Sequence, residues 1–182
     1  MAEVRIAVVP GSLRAGSFNR KLAALAATAA RAAGAAVDVI DLKLLALPVY
    51  DADIEVQEVP AGVLELRERI ANAHGLFVAT PEYNWGVPGG LKNAIDWASR
   101  ARPNPFRDKW AAIASASPGV FGGVRAVAAL RPTLSTLGVY LVPKELNVSR
   151  ANEAFGPDGS LNDPKQQEQL VALVDALMAR LR

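Results

Sequence analysis

The chain alternates between short continuous apolar runs and longer stretches in which apolar residues recur every three or four positions. A short continuous run suits a strand buried on both faces, and the three-or-four spacing marks one face of a helix. Residues 4–9 (VRIAVV) read as a first strand. Phe18, Leu22, Leu25 and Ala29 read as the stripe of a first helix, which Gly34 stops. Residues 37–40 (VDVI) read as a second strand, followed by a Pro- and Asp-rich loop over 45–60. Val63, Leu66, Ile70 and Ala73 mark a second helix ended by Gly75, and 76–80 (LFVAT) a third strand. Leu91, Ile95 and Ala98 mark a third helix, with Pro88 near its first turn, where a missing N–H costs little. Residues 110–116 (WAAIASA) give a fourth strand. Val127, Leu130, Leu134 and Leu137 give a fourth helix with Pro132 inside it, which predicts a kink or restart. Residues 139–142 (VYLV) give a fifth strand. After the turn-rich FGPDGS, Asp163 caps a last helix striped by Leu170, Val174, Leu177 and Leu181, with Pro164 first and Gln166 placed for a capping box.

Strands separated by helices pair in parallel, and the helices must cover both faces of the sheet. The expectation is a single doubly wound α/β domain spanning 1–182.

Composition narrows this picture. No apolar run approaches the ~20 residues of a membrane span, and the N-terminus has no basic region or small-residue cleavage site, so no membrane or export role is expected. Cysteine is absent, which removes disulfides, thiolate catalysis and Cys-based metal sites. The one histidine, His74, sits at the end of the second helix, where a cation would suit the helix dipole; with no second His or Cys nearby, no metal site is expected. The net charge is +2. Arg100, Arg102, Arg107 and Lys109, interrupted by Asp108, are a weak nucleic-acid signal. They read either as a solvated helix end or as a patch attracting a small anionic substrate.

In such a sheet, ligands bind beyond the carboxyl ends of the strands. The segments leaving the first, third and fourth strands are also the oddest in the chain: GSLRAGSFN (11–19), PEYNWGVPGG (81–90) and SPGVFGG (117–123). The first opens a helix, whose unpaired N–H groups favour an anion. Ser12, Ser17 and Asn19 add donors on short stems, Arg14 adds a charge-assisted one, and Gly11 and Gly16 allow close approach. On the plainer reading, Ser17 or Asn19 merely caps the helix. Gly11 and Gly16 have the spacing of a triphosphate-binding loop, but Ser17 stands where Lys is needed. The dinucleotide pattern G-x-G-x-x-G is missing, although Asp41 lies where a ribose-binding acid would sit. The loop suits a single terminal phosphate.

The stretches GSLRAGSFNRKL, TPEYNWGVPGGLKNAIDWASR and SASPGVFGGVRA resemble the NAD(P)H-dependent FMN reductase family, within it the bacterial chromate and quinone reductases. The resemblance runs from residue 5 to about 145 and is looser beyond. It implies a flavodoxin-like fold with a five-stranded parallel sheet in the order 2-1-3-4-5 and non-covalently bound FMN. By this resemblance Ser12, Arg14, Ser17 and Asn19 hold the phosphate, with Phe18 beside it. Pro81, Glu82, Tyr83 and Asn84 run along the isoalloxazine, and Ser117, Gly119, Gly122 and Gly123 close the other side. Trp85 departs from the relatives, which often carry a smaller aromatic or another residue there. Alone, Trp85 also reads as core, Glu82 as a solvated loop acid, and Pro88, Gly89 and Gly90 as the shape of a helix start.

The implied activity is that of a cytoplasmic flavoenzyme. NAD(P)H gives hydride to the flavin and leaves, and a quinone, azo dye, ferric chelate, chromate or free flavin then takes the electrons in the same place, a ping-pong route. Hydride transfer needs no protein acid or base, so no catalytic residue is expected; Arg100 is a candidate for guiding anionic substrates. One alternative is a flavodoxin-type electron carrier that does not oxidise NAD(P)H, although such carriers dock through acidic surfaces and this chain is net positive. The other is a nucleotide-binding domain without flavin. The family commonly forms homodimers or homotetramers. The loop 45–60 and the third helix are candidate contacts, and the loop reads equally as a cover for the sheet edge.

Overall fold

The computed structural model describes residues 3–182. In chain order its elements are β1 (Arg5–Pro10), α1 (Phe18–Ala32), β2 (Ala36–Val39), α2 (Ala52–Gln57), α3 (Ala61–Asn72), β3 (Gly75–Thr80), α4 (Gly89–Ser99), β4 (Trp110–Ala116), α5 (Val124–Ser135), β5 (Tyr140–Val148), α6 (Ala151–Ala154) and α7 (Pro164–Leu181). The five strands form one parallel sheet in the order β2-β1-β3-β4-β5. This is the expected flavodoxin-like, doubly wound arrangement.

Both faces of the sheet are covered because each central strand is apolar on both sides. Ile6 and Val8 of β1, Phe77 of β3 and Ala112 and Ala114 of β4 pack with α1 and α7. The intervening Ala7, Val9, Leu76, Val78, Ala111 and Ile113 pack with α3, α4 and α5. The α1 face is lined by Ala23, Ala26, Ala27 and Ala30, small enough to bring the helix close to the sheet.

Several expectations need correction. The loop 45–60 contains α2, capped by Asp51 but without one buried residue, so no apolar stripe announces it. Gly75 begins β3 rather than ending a helix; a Cβ there would meet Leu181 Cδ1 at 2.7 Å. The helix α5 runs unbroken through Pro132, at the loss of the one hydrogen bond that an N–H there would have given the Ala128 carbonyl, and Leu137 falls beyond it. Strand β5 continues past residue 142 to Val148. It is an edge strand whose register shifts against β4 between Ala111 and Ile113, and its polar residues hide the alternation of buried Val142, Leu146 and Val148. Asp163 caps α7 through the Lys165 N–H at 2.9 Å, but Gln166 does not complete a capping box: its side-chain oxygen has no partner. His74 Nδ1 accepts the Arg5 N–H at 2.9 Å, pinning the start of β1 instead of serving a helix pole.

Candidate functional site

The segments after β1, β3 and β4 all leave the carboxyl ends of adjacent parallel strands. In the first, the Gly11 N–H donates to Ala79 O at 2.8 Å, and a Cβ on Gly11 would meet Leu91 Cδ2 at 2.8 Å, so glycine lets this loop lie against α4. Ser17 is the N-cap of α1: its hydroxyl accepts the Asn19 N–H at 3.1 Å and keeps its own hydrogen to donate. The capping reading is therefore correct for Ser17 without using up the group. The buried Ser12 hydroxyl accepts the Arg14 N–H at 3.3 Å and lies 3.2 Å from the Tyr83 hydroxyl, joining the first loop to the second. Among the described residues, the N–H groups of Ala15, Gly16 and Phe18 meet no protein acceptor. The Arg14 guanidinium, 5.9 Å from the Phe18 ring centre, pairs there with no carboxylate.

Asn19 differs from the expectation of a phosphate donor. Its Nδ2 donates to Ala116 O at 2.8 Å and its Oδ1 accepts the Ala116 N–H at 2.9 Å. The last β3–β4 pair is Thr80 with Ser115, so this amide continues the ladder where β3 has ended. Asn19 is a clip between α1 and β4.

In the second loop, Glu82 is no solvated acid. Its carboxylate is 7% exposed, accepts the Arg125 backbone N–H at 3.0 Å and Nε–H at 2.7 Å, and lies 2.5 Å from Nη2 in an ion pair. Arg125 stands in the first turn of α5, so Glu82 also serves the positive pole of that helix. Asn84 and Trp85 form a turn between Tyr83 and Gly86, and Trp85 is exposed rather than core. In the third loop, the Ser117 N–H donates to Val148 O at 3.0 Å, and the Ser115 hydroxyl donates to Gly122 O at 2.5 Å. Gly122 has φ 61°, and a Cβ there would sit 2.8 Å from the Asn147 carbonyl, so only glycine fits between the loop and β5.

These loops enclose a cleft of about 350 Å³. Arg14, Ser17, Phe18 and Asn19 face it from the first loop, Pro81, Glu82 and Tyr83 from the second, and Ser117 from the third. Ala116 and Pro118, which sequence reasoning did not single out, complete the wall. Ser12, Asn84, Gly119, Gly122 and Gly123 belong to the same loops but do not line the cleft. Asp41 is not available to a ribose: it pairs with Arg20, whose hydrogen bond holds its carboxyl below the usual value. Arg125 was missed because its role depends on a partner 43 residues away.

Arg100 is not with the others. It caps the far end of α4, its guanidinium 5.0 Å from the Tyr50 ring centre, in a larger open groove of about 860 Å³ shared with Arg102 and Arg107. The carboxyl ends of α4 and α5 point that way, and such poles repel anions. Arg102 Nη1 donates to the carbonyls of Ser99, Arg100 and Ala101 there, so the basic cluster serves a helix end. The substrate-guiding expectation for Arg100 has no support from this placement.

Residues 4–153 match the family model described as NADPH-dependent FMN reductase. The chain belongs to the NADPH-dependent FMN reductase family. It is 39% identical to an NAD(P)H-dependent FMN reductase of Pseudomonas aeruginosa, over 99% of this chain and 96% of that protein. It is 42% identical to a quinone reductase of Escherichia coli, over 78% of this chain and 75% of that one. Among solved structures it superposes on FerB, a flavoenzyme NAD(P)H:(acceptor) oxidoreductase of Paracoccus denitrificans, with TM-score 0.85 and 35% identity, covering 98% of this chain and 97% of the other. As a family member the chain is an NAD(P)H-dependent oxidoreductase that uses FMN. Among the described residues, no helix is long and apolar enough to cross a membrane.

Proposed function

We propose that the cleft holds FMN and that the enzyme passes electrons from NAD(P)H to quinones. The observation that carries this reading is the set of unpaired donors at the N-terminus of α1, opening onto a cleft walled by the other two loops. The donors fit a monophosphate dianion: backbone N–H groups, the Ser17 hydroxyl and the Arg14 guanidinium around a positive helix pole, with the Ser12 hydroxyl of the same loop tied to Tyr83. The walls fit a flat ring, with Pro81 and Tyr83 along one side and Ser117 and Pro118 along the other.

FMN, when bound, relays two electrons between NAD(P)H and the acceptor. In the net reaction a quinone gains these two electrons, one proton from NAD(P)H and one from water, and becomes the quinol. The protein's part is to bind and orient. Glu82 is engaged by Arg125, and no acid or base is assigned. Nucleotide and acceptor use the open side of the cleft in turn, the ping-pong route. Azo dyes, ferric chelates, chromate and free flavin remain proposed acceptors of the same site. A homodimer or homotetramer is also proposed, with contacts through the exposed Val49 and Val56 around α2.

The test is anaerobic mixing of the FMN-loaded protein with NADH and with NADPH, followed by a benzoquinone. Bleaching of the flavin band by one or both nucleotides, and its return on adding the quinone, is the expected result. A band that neither nucleotide bleaches refutes the reading.

A further inference from the structure

The second loop breaks a local rule. Tyr83 to Gly86 form a tight hairpin turn: the Tyr83 N–H donates to Gly86 O at 3.2 Å and the Gly86 N–H to Tyr83 O at 3.0 Å. Both central residues have positive φ, Asn84 at 48° and Trp85 at 66°. A turn of this hand accepts Asn first and prefers Gly second, because a side chain at the second position crowds the backbone. The chain puts tryptophan there. Backbone strain of this kind persists at sites where function retains it.

The strained turn holds the indole in the open. Trp85 is 74% exposed, with the Arg125 guanidinium carbon 4.3 Å from its ring centre. The same carbon lies 5.2 Å from the ring of Phe121, which is also exposed. Buried Glu82 grips the guanidinium from behind, so it cannot swing away. Indole, guanidinium and phenyl thus bridge the second and third loops beside the cleft. Stability does not account for tryptophan at this position, since glycine would relieve the turn and no core contact would be lost.

We propose that Trp85, braced by Arg125 and flanked by Phe121, seats the planar, electron-poor ring of a quinone acceptor and sets a preference for flat acceptors over compact ones. An electron-rich indole face pairs well with an electron-poor ring, and the seat adjoins the cleft. The inference rests on the reading of that cleft as the FMN site.

The test compares Trp85→Gly and Trp85→Phe with the parent, all FMN-loaded, under saturating NADH. Steady-state KM is measured for a benzoquinone and for hexacyanoferrate(III), an octahedral oxidant with no flat face. Trp85→Gly is expected to raise the quinone-to-hexacyanoferrate KM ratio roughly 3- to 10-fold, the size of one aromatic stacking contact. Trp85→Phe keeps a ring and restores most of the parent ratio. The melting temperature of Trp85→Gly does not fall, because glycine fits the turn. An unchanged ratio in FMN-loaded Trp85→Gly overturns the proposal, as does an equal rise in both KM values. The FMN titration of the parent is a separate readout: a parent that binds no FMN overturns the reading of the cleft itself.

Discussion

Replacing Asn19 with alanine tests how the first and third loops are joined. Asn19 is 2% exposed, and its amide makes two bonds to the backbone of Ala116, at 2.8 and 2.9 Å, past the end of β3. Alanine deletes both and leaves a buried N–H and a buried carbonyl unpaired, at about 1–3 kcal/mol each, or about 2–6 kcal/mol together. The better helix propensity of alanine returns about 0.5 kcal/mol. In a chain of this length 1 kcal/mol moves Tm by about 2–4 °C, so the net loss gives an expected fall of roughly 3–22 °C. The assay is thermal unfolding of the FMN-free protein by circular dichroism, which separates the clip from any ligand contact. Asn19→Asp sharpens the test: it keeps an acceptor for the Ala116 N–H but sets a carboxylate oxygen against the Ala116 carbonyl, so it also destabilises. A shift of less than about 2 °C in Asn19→Ala, below 1 kcal/mol, refutes the reasoning.

Gly122→Ala forces a side chain into a left-handed position and against the Asn147 carbonyl; the expected cost is about 2–4 kcal/mol, read as a lower urea midpoint, and an unmoved midpoint contradicts it. Glu82→Gln keeps the shape but removes the charge that the Arg125 backbone N–H and guanidinium share. It is expected to cost about 1–2 kcal/mol and to change the fluorescence of Trp85 as the guanidinium loosens, whereas parent-like Tm and emission would count against the clamp. Asp41 titrates below its ordinary 3.8, first because of its hydrogen bond from Arg20. Its contribution is therefore whole above the unfolded value and is lost as pH falls through the lower folded value. Melting curves between neutral pH and about pH 2 should show Asp41→Asn less stable at neutral pH, with the difference shrinking in acid; a difference independent of pH contradicts the assignment.

Periodicity made the sheet legible because the central strands are apolar on both faces and the helices carry plain stripes. It failed where burial is thin. The α2 helix buries nothing, and the polar half of β5 lies at a sheet edge, so neither leaves a hydrophobic trace. The three loops were legible through their glycines and hydroxyls, but the division of labour within them was not. Ser17 and Asn19 look alike as donors in sequence. Only the position of Ala116 reveals that one faces the cleft with a free hydrogen while the other is spent on β4. Glu82 looked like any loop acid until Arg125 was placed beside it. Arg100 looked useful because it is cationic, yet the direction of α4 carries it to the opposite end of the molecule.

The central claim is that the N-terminus of α1 grips the terminal phosphate of FMN. Fluorescence titration of the FMN-free protein with FMN and with riboflavin, which differ only in that phosphate, tests it directly. The account predicts that FMN binds far more tightly, and that Arg14→Ala combined with Ser17→Ala removes most of the difference. Equal affinity for the two flavins, or a double variant that still prefers FMN as strongly as the parent, contradicts it.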